Sequence, residues 1–177
     1  MYRVKPKDEN NEISVIVEIS KNSDPVKYEI CKDTGLLKVD RFINVSMSYP
    51  CNYGFIPNTL GGDLDPIDAL VVSEFPIQPS AMIKCKVIGV LVMEDESGQD
   101  EKIIAVAADK IDINSRNIND IEDIPSSVLR KIYHFFERYK DLDANKWVRV
   151  LGTQDRASAL EIIDKSISSF ENQKNIT

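Results

Sequence analysis

Three aspartates lie close together in the run Gly62-Asp63-Leu64-Asp65-Pro66-Ile67-Asp68. Carboxylates at this spacing repel one another, and they ionise together readily only when a cation neutralises them. Carboxylate oxygens are the ligands that hard divalent cations prefer. Pro66 stiffens the turn and restricts how far the carboxylates can separate. The spacing therefore predicts a site for divalent metal ions.

A second acidic group occupies residues 94–101, where Asp95 and Asp100 flank a turn that contains Gly98. Lys102 follows two residues after Asp100, on the same face of a predicted strand. Together with the first run, these acids could supply the oxygen ligands for two or more Mg²⁺ ions. The other interpretation is a solvated acidic turn, because runs of charge usually face water.

Cations and phenols are interleaved with these acids along the chain. Metal ions, ammonium or guanidinium groups and phenolic hydroxyls are together the groups that bind a phosphate-rich anion. Each residue also has an ordinary structural interpretation, such as a surface ion pair between Lys27 and Glu29 or the packing of Tyr139 in a core. The candidates are Lys27, Arg41, Lys102, Lys140, Tyr49, Tyr53 and Tyr139.

Composition restricts the class of protein. The chain has 177 residues, 42% hydrophobic and 29% charged, which predicts one globular domain over residues 1–177. A net charge of −7 argues against nucleic acid or an anionic membrane as partner. Three cysteines without a CxxC spacing, and no signal-like start, predict a cytoplasmic protein without disulfides. The apolar stretches are too short to cross a bilayer.

Strands in the first two thirds of the chain and helices in the last third are expected to position these residues. Alternation and turn signals predict strands, with residues 26–43 forming a hairpin. Apolar residues at helical period predict one helix from about Ser126 to Tyr139 and a last helix capped by Thr153 or Asp155. The order predicts an α+β fold, mainly β, with helices packed on a small barrel. The predicted strands are residues 13–19, 26–31, 36–43, 69–72, 83–93, 103–107 and 147–151.

Several separated segments of the chain form one ordered set of motifs. They are Glu18, Lys27-Tyr28-Glu29, Val39-Asp40-Arg41-Phe42, Tyr49-Pro50-Cys51-Asn52-Tyr53-Gly54, the run from Asp63 to Asp68, Asp95 through Lys102, His134 through Lys140, and Lys146-Trp147-Val148. Together these residues resemble the soluble family I inorganic pyrophosphatases of bacterial type. The resemblance runs in unbroken order over about residues 12–170 and does not rest on one motif.

The resemblance implies a five-stranded OB-like barrel with two main helices packed on it. It implies Mg²⁺-dependent hydrolysis of pyrophosphate to two phosphates, with several Mg²⁺ ions in each active site. It also implies a homohexamer in which the helix that carries His134 contributes to subunit contacts.

The resemblance also implies a role for each matched residue. Asp63, Asp68 and Asp95 resemble direct metal ligands, and Asp100 with Asp95 resembles the site of the metal that arrives with substrate. Asp65 resembles the general base, oriented on a nucleophilic water between two metals. Glu18 and Glu29 resemble acids that reach the metals through water, and Tyr49 resembles a supporting hydroxyl. The residues that resemble the phosphate-binding set are Lys27, Arg41, Tyr53, Lys102, Tyr139 and Lys140.

Leu64 departs from the family pattern, in which a small or polar residue, often glycine, separates the first two aspartates. Leucine tolerates positive φ badly. We therefore expect an ordinary backbone conformation at Leu64, with its side chain directed away from the metals.

Two alternatives remain at this stage. One is a catalytically silent OB-type binding module, which the acidic balance and the complete set of acids disfavour. The other is a hydrolase of other phosphoanhydrides, such as nucleotides, which the family resemblance disfavours.

Overall fold

The structure is a computed structural model that describes residues 2–176, with side chains described through residue 174. It contains eight strands and two α-helices, together with two short 3₁₀ turns at Ile113–Asn117 and Ile121–Asp123. The strands are β1 (Glu12–Ile19), β2 (Val26–Ile30), β3 (Leu37–Phe42), β4 (Asn52–Phe55), β5 (Asp68–Val72), β6 (Met82–Asp95), β7 (Gly98–Ala107) and β8 (Val148–Gln154), and the helices are α1 (Ser126–Arg138) and α2 (Arg156–Ile176).

Five strands close into a ring in the order β1-β4-β5-β7-β6, because β6 pairs back onto β1. The length of β6 makes this closure possible, since Met82–Lys86 pairs with β1 while Val90–Asp95 pairs with β8. The β5–β7 pair is parallel and the other ring pairs are antiparallel. The predicted mainly β fold, with a five-strand ring and two helices, is confirmed.

Both faces of the ring are buried. Along β5, Leu70 packs in a cluster with Phe135 and Phe136 of α1, whereas Ala69 and Val71 pack in a second cluster with α2. Alternation along a strand sends successive side chains to opposite faces, so each helix covers a different set. This double burial explains the apolar runs of residues 87–93 in β6 and 103–107 in β7.

The predicted hairpin forms a separate two-stranded sheet of β2 and β3. Its register places Lys27 opposite Arg41. The predicted helices are also present, and the α2 cap is Asp155, which accepts a hydrogen bond from Ser158 N at 2.9 Å. Thr153 lies in β8 instead.

Strand β4 is absent from the predicted strands, since its four residues are too few to show a clear alternation. In the described part of the chain, no helix combines the length and apolar composition that a bilayer crossing needs.

Candidate active site

One cavity of about 650 Å³ collects every residue that the resemblance assigned to a site. Its walls come from the β2–β3 hairpin, the acid loop (residues 61–67), the β6–β7 turn and the end of α1. Residues that are far apart in sequence therefore share one space. They are Glu18, Lys27, Glu29, Arg41, Tyr49, Tyr53, Asp63, Asp65, Asp68, Asp95, Asp100, Lys102, Tyr139 and Lys140.

The acid loop is closed by hydrogen bonds of its own backbone. Gly61 N donates to Asp65 O at 2.7 Å, and Asp65 N donates to the Asp63 carboxylate at 3.0 Å. Inside this turn Leu64 has φ +68°, a left-handed conformation. The expectation of an ordinary backbone at Leu64 was wrong, because closure of the turn determines its conformation.

Lys102 lies between two of the predicted metal ligands. Its Nζ is 2.5 Å from Asp68 Oδ2 and 2.6 Å from Asp100 Oδ1, and its side chain is 5% exposed. The parallel β5–β7 register sets this contact by placing Asp68 opposite Lys102. Burial alone would lower the Lys102 pKa, but the two carboxylates outweigh burial and raise it. Burial raises the pKa of Asp100, and Lys102 opposes that rise.

Lys140 makes an equivalent contact at the β6–β7 turn. Its Nζ is 2.7 Å from Asp95 Oδ2 and 3.1 Å from Glu96 Oε2. Burial opposes ionisation of Asp95, but the hydrogen bonds from Lys140 and Ser97 N outweigh it and lower the Asp95 pKa. The acids of this turn therefore point in different directions. Asp95 lines the cavity, whereas Glu94 pairs with the exposed Arg149. Glu96 contacts Lys140 but does not itself line the cavity, and the sequence predicted no role for it.

The hairpin contributes two cations held by one acid. Asp40 Oδ2 is 3.4 Å from Lys27 Nζ and 3.2 Å from Arg41 Nε. Lys27 also bonds to Glu29 at 2.7 Å, and the Lys27 side chain is 18% exposed. The Lys27–Glu29 pair is therefore not the exposed surface pair that was one interpretation of the sequence. Asp40 lay within a matched segment, but no role was predicted for it.

Glu18 connects the hairpin to the ring. It lies at a register shift of β1 between Val17 and Ile19, and such bulges redirect a side chain. Glu18 Oε1 accepts a hydrogen bond from Ile30 N at 2.7 Å, and the residue is 7% exposed. Burial raises the Glu18 pKa to about 7, with further contributions from Asp68 and Glu29.

The predicted general base, Asp65, is paired with a residue that the sequence did not indicate. Lys32, in the turn between β2 and β3, contacts the Asp65 carboxylate. Both side chains are more than half exposed, at 65% for Lys32 and 60% for Asp65. The pair joins the hairpin turn to the acid loop, and solvent screens it.

The tyrosines form an aromatic floor beneath the charges. Tyr49 packs between Phe135 and Tyr53, with ring centroids 4.6 and 5.1 Å apart, and Tyr139 stacks on Phe135 at 5.4 Å. Lys102 Nζ lies 5.9 Å from the centre of the Tyr53 ring. Burial, followed by the charge of Asp68, raises the Tyr53 pKa, so this hydroxyl keeps its proton and can donate. The same tyrosine rings therefore pack in the core and line the cavity.

The chemistry of the donor set fits a hard divalent cation, because its members are carboxylate oxygens in a shared space. Among the described residues, however, no three acidic, histidine or cysteine side chains are arranged closely enough to hold a metal ion. Lysine ammonium groups contact these acids instead. Lys102 lies between Asp68 and Asp100, Lys140 contacts Asp95, and Lys32 contacts Asp65. A metal ion would therefore bind here by replacing ammonium groups.

The chain resembles known proteins over almost its whole length. The sequence model of the inorganic pyrophosphatase family matches residues 15–171. An inorganic pyrophosphatase of Rickettsia bellii is 52% identical over 169 residues, covering 96% of this chain and 97% of the relative. One from Helicobacter pylori is 49% identical over 159 residues, covering 90% and 91% of the two chains.

Solved structures of inorganic pyrophosphatases share this fold over almost the whole chain. An inorganic pyrophosphatase structure from Helicobacter pylori aligns with a TM-score of 0.91 at 45% identity, covering 96% of this chain and 99% of that one. One from Thermus thermophilus aligns with a TM-score of 0.90 at 40% identity, covering 95% and 97%. The match to the family model, the sequence identities and the shared fold show that the chain belongs to the inorganic pyrophosphatase family.

Proposed function

We propose that this protein hydrolyses inorganic pyrophosphate to two orthophosphates, using several Mg²⁺ ions. The observation that carries the proposal is that acids and cations from separate segments line one cavity. Family membership and about 50% identity to inorganic pyrophosphatases support the same activity. The catalytic unit in this proposal is the single domain of residues 1–177.

In this proposal the metal ligands are Asp63, Asp68, Asp95 and Asp100, and Glu18 and Glu29 act on the metals through water. When bound, Mg²⁺ supplies positive charge to the phosphate oxygens and lowers the pKa of coordinated water. If a metal ion replaced Lys102 at Asp68 and Asp100, both carboxylates would become available to the metal and the Lys102 ammonium group would be free. If a metal ion replaced Lys140 at Asp95, the Lys140 ammonium group would be free in the same way.

The freed cations are then available to the substrate. Lys102 and Lys140 would join Lys27 and Arg41 around the phosphates, because ammonium and guanidinium groups match phosphate oxygens. The Tyr53 and Tyr139 hydroxyls would donate hydrogen bonds to the same anion. Tyr49 packs directly on Tyr53 and supports Tyr139 through Phe135.

Asp65 would orient the attacking water and accept its proton as the oxygen bonds to phosphorus, while the bridging P–O bond breaks and the second phosphate leaves. Its exposure suits this role, because a solvated carboxylate can turn towards a water without losing a buried contact. Lys32 would have to leave the Asp65 carboxylate for the proton to be accepted there.

The finer features of the family are also part of the proposal. We expect a homohexamer, with α1 at a subunit contact, and a cytoplasmic location. A mass six times that of one chain in light scattering would support the assembly, whereas a monomer mass would contradict it.

The test is phosphate release from pyrophosphate by the purified protein, with Mg²⁺ and then with excess chelator. Rapid release that the chelator abolishes would support both the reaction and the metal requirement. No release at any Mg²⁺ concentration, from protein with intact secondary structure, would overturn the proposal and favour a catalytically silent binding module.

A further inference from the structure

The cavity extends beyond the charged residues into a region with apolar walls. Its volume of about 650 Å³ lies within the range of roughly 300–1,000 Å³ that encloses organic ligands, which exceed an inorganic diphosphate in size. The side chains on this side carry no charge, in contrast to the acid loop beside them. We call this region the apolar wall, and it consists of Tyr2, Phe55, Leu60, Leu64 and Phe170.

Hydrogen bonds hold the segments of the apolar wall together. Asn58 Nδ2 donates to Tyr2 O at 2.9 Å and to Val4 O at 2.8 Å, and the Tyr2 and Phe55 rings lie 5.7 Å apart. The N-terminal segment is therefore attached to the loop that follows β4. The wall is built from tertiary contacts and is not a chance exposure of single residues.

Helix α2 closes the far side of this region. Leu60 N donates to Ser166 O at 3.0 Å, which fixes the loop to the helix. Phe170 follows Ser166 by one helical turn and so lies on the same side of α2. Leu160, Ile163 and Ile167 of this helix pack in the core, but Phe170 lines the cavity instead.

Leu64 joins the wall to the acid loop at an energetic cost. Its left-handed backbone is unfavourable for leucine, and its side chain is 63% exposed. An apolar side chain held at a strained position on the rim of a site is an observation that points towards function. Leu64 extends the wall to the aspartates that flank it in sequence.

We propose that the apolar wall is a subsite for the organic group of a pyrophosphate monoester whose two phosphates occupy the charged end, an inference that rests on the proposed function. The charged end supplies the cations and metal ligands that a diphosphate needs. The wall supplies rings and aliphatic surface, which suit an alkyl or aryl group. Burial and the charge of Glu18 raise the Tyr2 pKa, in agreement with a wall that adjoins the acids.

The test compares phenyl diphosphate with methyl diphosphate as inhibitors of pyrophosphate hydrolysis in the presence of Mg²⁺. We expect phenyl diphosphate to inhibit competitively with about tenfold higher affinity, which corresponds to roughly 50–60 Å² of buried apolar surface. Phe170→Ala should remove most of this advantage while leaving the inhibition by methyl diphosphate and the hydrolysis of pyrophosphate unchanged. Leu142→Ala, at an exposed leucine that does not line the cavity, is the matched control.

Equal affinities for the two esters in the wild-type protein would overturn the subsite. A preference for the phenyl ester that survives in Phe170→Ala, shown to be folded by circular dichroism, would overturn the placement of the organic group. If the wild-type protein does not hydrolyse pyrophosphate, the proposed function fails separately. Calorimetric titration with the two esters then tests the subsite directly, by the same difference in affinity.

Discussion

At the scale of single residues, lysines accompany the acids of the cavity. Lys102 contacts Asp68 and Asp100, Lys140 contacts Asp95, and a third ammonium contacts Asp65. Buried carboxylates need compensation of this kind when they are ionised. The contacts therefore account for how acids at such density coexist in one cavity.

We expect Asp65→Asn to lower turnover by about 10²-fold or more, because an amide cannot accept the proton that a general base removes. The exposed position of Asp65 predicts that the fold survives the substitution. Phosphate release under saturating Mg²⁺ measures the effect. Asp109→Asn, at an exposed carboxylate that pairs with Lys86 outside the cavity, is the control and should retain full activity. Near-normal turnover in Asp65→Asn would remove the assigned base.

Leu64→Gly should stabilise the protein by up to about 1 kcal/mol. A left-handed backbone costs a leucine about 1–2 kcal/mol, and the greater freedom of glycine in the unfolded chain returns roughly half of that. Leu142→Gly is the control, because Leu142 is similarly exposed and has no positive φ. It should lose stability. Urea unfolding midpoints test the pair, and equal losses in both variants would contradict strain at Leu64.

The sequence predicted the residues assigned from the resemblance but not what each one contacts, and it did not predict that Lys32 and the apolar wall also line the cavity. Every residue assigned from the resemblance lies there. The contacts of Lys32 with Asp65 and of Lys140 with Glu96 join segments that only the tertiary structure brings together. The predicted backbone conformation of Leu64 was wrong for a related reason, because hydrogen bonds across its turn outweighed the preference of leucine for negative φ.

At the scale of elements, the hairpin is joined to the rest of the molecule by polar contacts and by Tyr28, which packs against the core. One of the polar contacts is the hydrogen bond from Ile30 N to Glu18. The hairpin also carries Lys27 and Arg41, so its position sets two of the proposed substrate contacts. The protonation state of Glu18 is therefore important for both stability and the site.

In chelator, Glu18→Gln should become increasingly more stable than wild type as pH rises from 5 to 8. The Glu18 pKa rises from an ordinary 4.5 to about 7 in the folded protein. Stability from the protonated group is thus fully present below about pH 4.5 and is lost as pH rises through 7. The difference between the variants should grow by at most about 3 kcal/mol.

Urea unfolding at pH 5 and pH 8 measures this difference. Glu161→Gln, on an exposed part of α2, controls for the general effect of removing a negative charge. A gap between wild type and Glu18→Gln that does not change with pH would contradict the burial of an ionisable Glu18.

The long strands and both helices were predictable because their apolar residues recur with a clear period. Strand β4 was not, because it has only four residues and contains Gly54. In α2, Leu160, Ile163 and Ile167 pack in the core. Phe170 lies on the same helix face, but it lines the cavity because the end of the helix passes over it.

At the scale of the whole molecule, the ring depends on the pairing of β1 with β4 as well as on its closure between β6 and β1. Gly54 lies in the β1–β4 pair, opposite Val17. A Cβ at Gly54 would lie 1.9 Å from Ile16 O and 2.8 Å from Val17 Cα. Backbone atoms cannot move aside as a flexible side chain can, so the two strands approach closely only because residue 54 is glycine.

Gly54→Ala should therefore destabilise the protein by about 3 kcal/mol or more, through separation of β1 from β4. Gly62→Ala is the matched control, because a Cβ at Gly62 meets nothing within 4 Å. Urea unfolding and circular dichroism of both variants provide the test. Similar stability in the two would show that the ring can open at this point without cost.

The ammonium groups that stand among the acids have a thermodynamic consequence. If each metal that binds releases a lysine to the phosphates, metal binding raises the affinity for substrate. Linkage then requires substrate to raise the affinity for metal by the same factor. The two ligands would be cooperative without any movement of the ring, and the coupling would reside in side chains such as Lys102 that exchange one partner for another.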